Sequence, residues 1–138
     1  LPICYDAEYG LDLESISKQN KISIEEIIHL HHETSFYVYM MGFLPGFPFM
    51  GDLTNKLFTS RLKTPRVLVP AKSVAIVEKF CAIYPFDSPG GWNIIGKTPT
   101  ILFEKNKKNP SLLYPGAQIK FKSISKTTLL KLESKNNE

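Results

Sequence analysis

Residues 91–98 read GWNIIGKT: Gly91, four residues, then Gly96, Lys97 and Thr98. That spacing matches the loop that cradles a nucleotide's phosphates, where glycine amides and a helix N-terminus hold the anion. Such a loop needs a buried strand before it and a helix after it. Here Pro99 follows Thr98 and biases it toward extended backbone, TILF comes next, and another proline stands at 110. No adequate helix fits, and no later apolar strand ends in an aspartate able to hold magnesium. The phosphate reading is rejected, so the glycines need another reason. Ser88, Pro89, Gly90 and Gly91 predict a tight turn with positive φ, or a close approach of bare backbone to something else. Trp92 and Asn93 beside them suit either a small-ligand wall or a barrel corner.

Other reactive side chains are sparse. His29, His31 and His32, with Glu33, are the sequence's histidine cluster and hold all three histidines. On a helix, 29 and 32 share a face and 29 and 33 nearly do, but no second ligand group with metal spacing accompanies them. They read as surface or half-buried histidines near a helix C-terminus, and no metal is expected. Nor is there Ser-His-Asp logic, because every histidine is far in sequence from the glycine segment. Cys4 and Cys81 form no C-x-x-C pair, which fits a reduced, cytoplasmic protein. Cys81, between Phe80 and Ala82 in a strand, reads as inert core.

These residues must be positioned by a chain of 138 residues, 43% hydrophobic and 22% charged, enough for one domain with one core. The net charge of +4 permits an acidic partner without requiring one. Two early helices raise a DNA-binding helix-turn-helix, but the second, IEEIIHLHHE, carries three glutamates and no arginine or lysine, so no nucleic acid is expected. No apolar run approaches the ~20 residues of a membrane span, and no signal peptide is visible. The chain opens on Leu1 in an apparent strand, LPICYD, and is expected to be a piece of a longer protein.

Residues 12–20 predict a short helix, capped by Asp12 and ended by Asn20 in the left-handed position. Ser23 and Glu26 form a capping box, with Ile22 and Ile27 at staple positions, for a helix to about Glu33 whose inner face carries Ile24, Ile27, Ile28 and His31. SFYVYMM (35–41) predicts a buried strand. The Pro-, Gly- and Phe-rich GFLPGFPFMGDL (42–53) excludes helix and central strand and predicts a shaped apolar loop, a plug or a cleft wall, with Phe47–Pro48 a candidate cis bond. RVLVP, SVAIV and FCAIYP predict three short strands with turns near 71–72 and 78–79, and TILFE (100–104) and AQIKFKSI (117–124) add more. Pro115 and Gly116 mark a turn, and residues 125–138 predict a fraying tail. The pattern is that of a mainly β sandwich or barrel with two short N-terminal helices.

YMMGFLPGFPFMGDL, RLKTPRVLVPAKSVAI, IYPFDSPGGWNIIGKTP and LLYPGAQIKF, in this order, resemble a family that goes under three descriptions: the B-type subunit of 5-oxoprolinase, allophanate hydrolase subunit 1, and the inhibitor of the sporulation histidine kinase. The resemblance covers nearly the whole chain and is to that family's C-terminal, carboxyltransferase-type domain. It implies a single cyclophilin-like β-barrel over 1–138, with the family's smaller N-terminal lobe preceding Leu1. Family members carry Lys or Arg at the place of Lys97, which a tight phosphate site would not tolerate.

The resemblance also implies a non-autonomous subunit of an ATP-dependent 5-oxoprolinase, which opens the pyroglutamate lactam to glutamate. ATP would sit on a partner, and no cofactor on this chain. The partner implied is allophanate hydrolase subunit 2 or a C-type 5-oxoprolinase subunit. The alternatives are an inhibitor that binds a histidine kinase, and a protein related to a urea amidolyase or allophanate hydrolase component. For a small polar ligand with a carboxylate, Arg61 or Arg66 would clamp the carboxylate. The Gly90–Gly91 backbone, Ser73, Ser88 and Tyr84 would hold amide or carbonyl groups, with Trp92 as a wall. Three departures from the family pattern stand out. Lys72 replaces a turn glycine, Phe80, Cys81 and Ala82 replace a polar run, and PGA at 115–117 replaces PGD. If that run lines the pocket, this pocket is more apolar.

Overall fold

A computed structural model describes residues 1–42 and 44–136. The elements, in chain order, are β1 (Pro2–Ile3), α1 (Leu13–Asn20), α2 (Ile24–Glu33), β2 (Ser35–Met41), β3 (Pro48–Gly51), β4 (Arg66–Val69), β5 (Ser73–Val77), β6 (Phe80–Ile83), β7 (Ser88–Gly90), β8 (Asn93–Lys97), β9 (Gln118–Lys120), β10 (Lys122–Ser123) and α3 (Lys126–Asn136), with a 3-10 turn at Asn55–Leu57. The main sheet is antiparallel, in the order β8-β5-β6-β3-β2-β9, and curls into half a barrel. β4 pairs with β7 as a separate ribbon, and β1 runs parallel to β10.

Strand alternation divides the interior between the two sheet faces. Val74 and Ile76 of β5, Cys81 and Ile83 of β6, Met50 of β3 and Phe36 and Val38 of β2 face the helices, where they meet Leu13, Ile16 and Ile27. Ala75, Val77 and Ala82 face the other way, against Phe47, Tyr84, Trp92 and Ile94. All five residues of β5 are buried, as a strand covered on both faces must be. Phe36 is fully buried in the larger core, where truncation of such a ring to alanine costs roughly 3–5 kcal/mol.

The helices follow their local signals in part. The Ser23 hydroxyl accepts a hydrogen bond from the Glu26 amide at 3.1 Å, which begins α2 as the capping box requires. Asp12 precedes α1 without a side-chain cap, because its carboxylate is used elsewhere. Lys21, not Asn20, takes the left-handed position after α1, at φ 55°. The Asn20 amide instead donates to the carbonyls of Lys56 and Phe58.

Several expectations are corrected. β2 is half-buried: Phe36 and Val38 point in, while Tyr37 and Tyr39 point out. β3 lies inside the main sheet despite its proline. Pro48 is tolerated because it is the first residue of the strand. Within the 42–53 loop, Phe43 lies outside the described residues. Among the described residues the cis peptide is Gly51–Asp52, not Phe47–Pro48. Residues 100–104 make only an isolated bridge, Phe103 to Ser111, rather than a strand. The tail is a third helix, α3. Ser125 begins it by accepting from the Thr128 amide, Leu129 is buried beneath it, and Glu133 pairs with Lys97 at 3.0 Å. Asn137 and Glu138 of the expected tail lie outside the described residues. Among those described, no helix is long and apolar enough to cross a membrane.

Candidate functional site

The glycine segment at 88–98 is mostly strand, not turn. Ser88–Gly90 is β7, Asn93–Lys97 is β8, and no helix follows Thr98, which is buried. Residues 91–98 therefore do not build a nucleotide loop. Lys97 pairs with Glu133 and lies over the Tyr9 ring at 5.5 Å. Gly90 and Gly91 do not have positive φ, contrary to the turn expectation, since the positive-φ glycines described are Gly46 and Gly116. The close-approach alternative holds for Gly90. A Cβ there would collide with the Tyr84 hydroxyl and lie 2.9 Å from the Tyr84 ring atom Cε2.

The Gly90–Gly91 backbone forms one wall of a cleft of about 690 Å³. The curled sheet forms the floor. Ala75 and Ala82 are cross-strand partners, and their small side chains leave room on that face for Tyr84 and Trp92. Phe49 stacks on Trp92 with ring centres 5.6 Å apart and planes 18° off parallel. Phe47 meets Tyr84 edge-on at 4.9 Å. The Arg61 guanidinium stands 5.9 Å from the centre of the Trp92 ring. Such a contact at an exposed cation contributes about 0.5–1 kcal/mol and leaves the guanidinium's donors free for a ligand carboxylate. Glu78 and Lys79 stand at the same opening.

The electrostatics suit binding more than acid–base work. Burial pushes the Tyr84 phenol upward, offset by Arg61 and a backbone hydrogen bond from Trp92, so the phenol is a neutral group at pH 7. Beyond Tyr84, the charged groups lining the cleft are Arg61, Glu78 and Lys79. Tyr39, which also lines the cleft, donates to the Asp52 carboxylate at 3.0 Å, and that bond raises the phenol's pKa and keeps it protonated at pH 7.

The eight residues singled out from sequence divide cleanly. Arg61, Tyr84, Gly90, Gly91 and Trp92 line the cleft. Arg66, Ser73 and Ser88 do not. Arg66 makes a two-pronged bond to Asp12, at 2.7 and 2.8 Å, and that interaction raises its pKa. Ser73 donates to the Pro70 carbonyl at 2.6 Å. The Ser88 hydroxyl is buried with no hydrogen-bond partner among the described residues. Tyr39 and Met40 also line the cleft, although sequence reasoning does not find them; their signal is the exposed register of a half-buried strand. Phe80, one of the departures from the family pattern, lines the cleft, while Cys81 points into the opposite core. The replaced run thus contributes an aromatic ring to this pocket.

On the helix side, His31 is fully buried. Its Nδ1 is 2.6 Å from the Tyr5 hydroxyl and its Nε2 is 3.4 Å from Cys81 Sγ. Burial, with a smaller contribution from His32, lowers the His31 pKa to about 3. Burial likewise pushes the Cys81 thiol up, leaving it protonated and inert. Cys4 and Cys81 are both free.

Comparison with known proteins matches the family model described as "Carboxyltransferase domain, subdomain C and D" over residues 1–113. The chain is 44% identical over 125 residues to the B-type subunit of 5-oxoprolinase from Bacillus subtilis, covering 91% of this chain and 52% of that protein. It is 46% identical over 121 residues to the B-type subunit of 5-oxoprolinase from Haemophilus influenzae, covering 88% of this chain and 57% of that protein. The crystal structure of a conserved uncharacterized protein from Pyrococcus horikoshii superimposes with a TM-score of 0.90 at 39% identity, covering 94% of this chain and 60% of that one. The chain thus spans about half the length of the curated relatives it matches.

Proposed function

We propose that this chain, which belongs to the carboxyltransferase domain family (subdomain C and D), works as the B-type component of a 5-oxoprolinase-like assembly and binds a small carboxylate-bearing substrate in the cleft beneath Gly90 and Gly91. The observation that carries this reading is the Arg61 guanidinium over Trp92 at the mouth of an aromatic cleft. A lactam acid such as 5-oxoproline offers a carboxylate to Arg61 and a flat ring to Phe49 and Trp92. The neutral Tyr84 hydroxyl and the Gly91 backbone line the same cleft and are suited to its amide. Support for the assembly comes from the curated relatives, which are named as B-type subunits of 5-oxoprolinase.

In this reading bond breaking is shared with groups from a partner chain: ATP is used on a partner subunit, and the lactam activated there is presented to this cleft. On the same reading the protein works in the cytoplasm, which two unpaired cysteines fit. Co-expression with the products of neighbouring genes, followed by an assay of ATP-dependent 5-oxoproline cleavage with and without this protein, tests the reading. Turnover that is unchanged when the protein is omitted overturns it.

One observation favours a second reading. Tyr39 and Met40 of the cleft wall and Tyr37 next to them are exposed, a composition found where proteins dock. A histidine-kinase inhibitor would use that surface. Retention of a sensor kinase on the immobilised protein, with loss of kinase autophosphorylation and no effect on 5-oxoproline cleavage, would favour it.

A further inference from the structure

We propose that His29, His32 and Glu33 form a surface site for a borderline divalent metal ion such as zinc, nickel or cobalt. The three lie on the last turn of α2, and each offers a donor atom within 4.8 Å of the other two. The two imidazole rings meet edge-on, with centres 5.7 Å apart. Metal–ligand bonds of about 2.0–2.1 Å place neighbouring donors roughly 3.3 Å apart in a tetrahedral shell. Exposed side chains close that difference by small rotations, and His29 and Glu33 are exposed. Two imidazoles and one carboxylate suit zinc, nickel or cobalt better than magnesium or calcium, which prefer oxygen.

The surroundings also favour a cation. The donors sit at the C-terminal end of a ten-residue helix, where the helix dipole places partial negative charge. One Glu33 oxygen is already 3.5 Å from His32 Nδ1, and the other is 3.7 Å from Lys120 Nζ. The Glu33–Lys120 pair is about half-exposed on both sides, and exposed pairs contribute little, so a metal displaces it readily. The three ligands come from one helix turn, which leaves open coordination positions for water or for a donor on a partner. α2 packs on the sheet face opposite the cleft, so the site is independent of the proposed substrate pocket.

Titration calorimetry of the protein with zinc chloride and nickel chloride in a non-chelating buffer tests this. One equivalent binding with micromolar affinity is expected, with no heat from magnesium chloride. The His29→Asn/His32→Asn variant should bind at least about tenfold more weakly while keeping the wild-type circular dichroism spectrum. Cobalt should give weak visible bands without thiolate charge transfer, since Cys4 and Cys81 are buried. No binding below millimolar metal, full binding by the double variant, or an intense thiolate band would each overturn the proposal.

Discussion

Arg66 reaches from the β4–β7 ribbon to Asp12, at the start of α1, and grips both carboxylate oxygens. Asp12 also accepts from the Ile94 amide at 2.7 Å, so one carboxylate joins the ribbon, a helix start and β8. In the ribbon, Arg66 stands opposite Gly90, the residue that walls the cleft. The ribbon belongs to a sheet of its own, and this ion pair ties it to the rest of the fold. Arg66 is thus a positioning residue for the cleft wall.

Removing one partner should leave the Asp12 carboxylate, whose side chain is only 8% exposed, without its main counter-charge. Arg66→Met should therefore lower unfolding stability by roughly 2–3 kcal/mol, less than the ~3–5 kcal/mol of a fully buried broken pair because Arg66 is itself partly exposed. Urea denaturation checks this. Arg66→Met/Asp12→Asn should recover part of the loss, and hydrogen exchange should rise at β4 and β7 amides in the single variant more than in the double.

Gly90 is held bare by Tyr84. Gly90→Ala should force the Tyr84 ring out of place at a cost of about 1–3 kcal/mol. Adding Tyr84→Phe removes the hydroxyl that the new methyl meets first and should restore part of the stability. A double-variant cycle by thermal or urea unfolding reads the coupling.

His31 makes the fold acid-sensitive. Its folded pKa of about 3 lies below the ordinary 6.5, so between those values the unfolded chain binds a proton that the folded chain refuses. Stability from this group is full above about pH 6.5 and falls with decreasing pH, by about 1.4 kcal/mol per unit. Tyr5→Phe/His31→Leu removes the histidine without stranding the phenol. Between about pH 7.5 and 4.5 the wild type should lose roughly 2–3 kcal/mol more than this variant. Equal losses would mean that His31 does not titrate on unfolding.

The local features were legible in the sequence. Ser23 and Glu26 announced α2, β-branched runs announced β4 to β6, and Pro99 ruled out a phosphate loop. What was not legible depended on pairings across the chain. Arg66 read as a free clamp because Asp12, 54 residues away, read as a helix cap. β3 was hidden by Pro48, whose missing N–H matters little at the first position of a strand. α3 was hidden because it buries a single leucine, Leu129, and so lacks the apolar stripe that marks a helix. Much of the cleft was visible: Gly90, Gly91, Trp92 and Tyr84 lie together in sequence and Arg61 stood out as a possible carboxylate clamp, whereas Tyr39 and Met40 reach it only through the curl of the sheet.

In the proposed function a substrate carboxylate meets Arg61 over Trp92. The most direct measurement is ATP-dependent 5-oxoproline cleavage by the reconstituted assembly containing wild-type or Arg61→Gln protein. Arg61 is exposed, so the variant should lose no more than the ~0.5–1 kcal/mol of its contact with Trp92 and stay folded. A rise in KM of about tenfold or more is expected, in keeping with the ~1.5–3 kcal/mol of a charged hydrogen bond. Unchanged KM and turnover in a variant that still assembles would contradict the proposed role of Arg61.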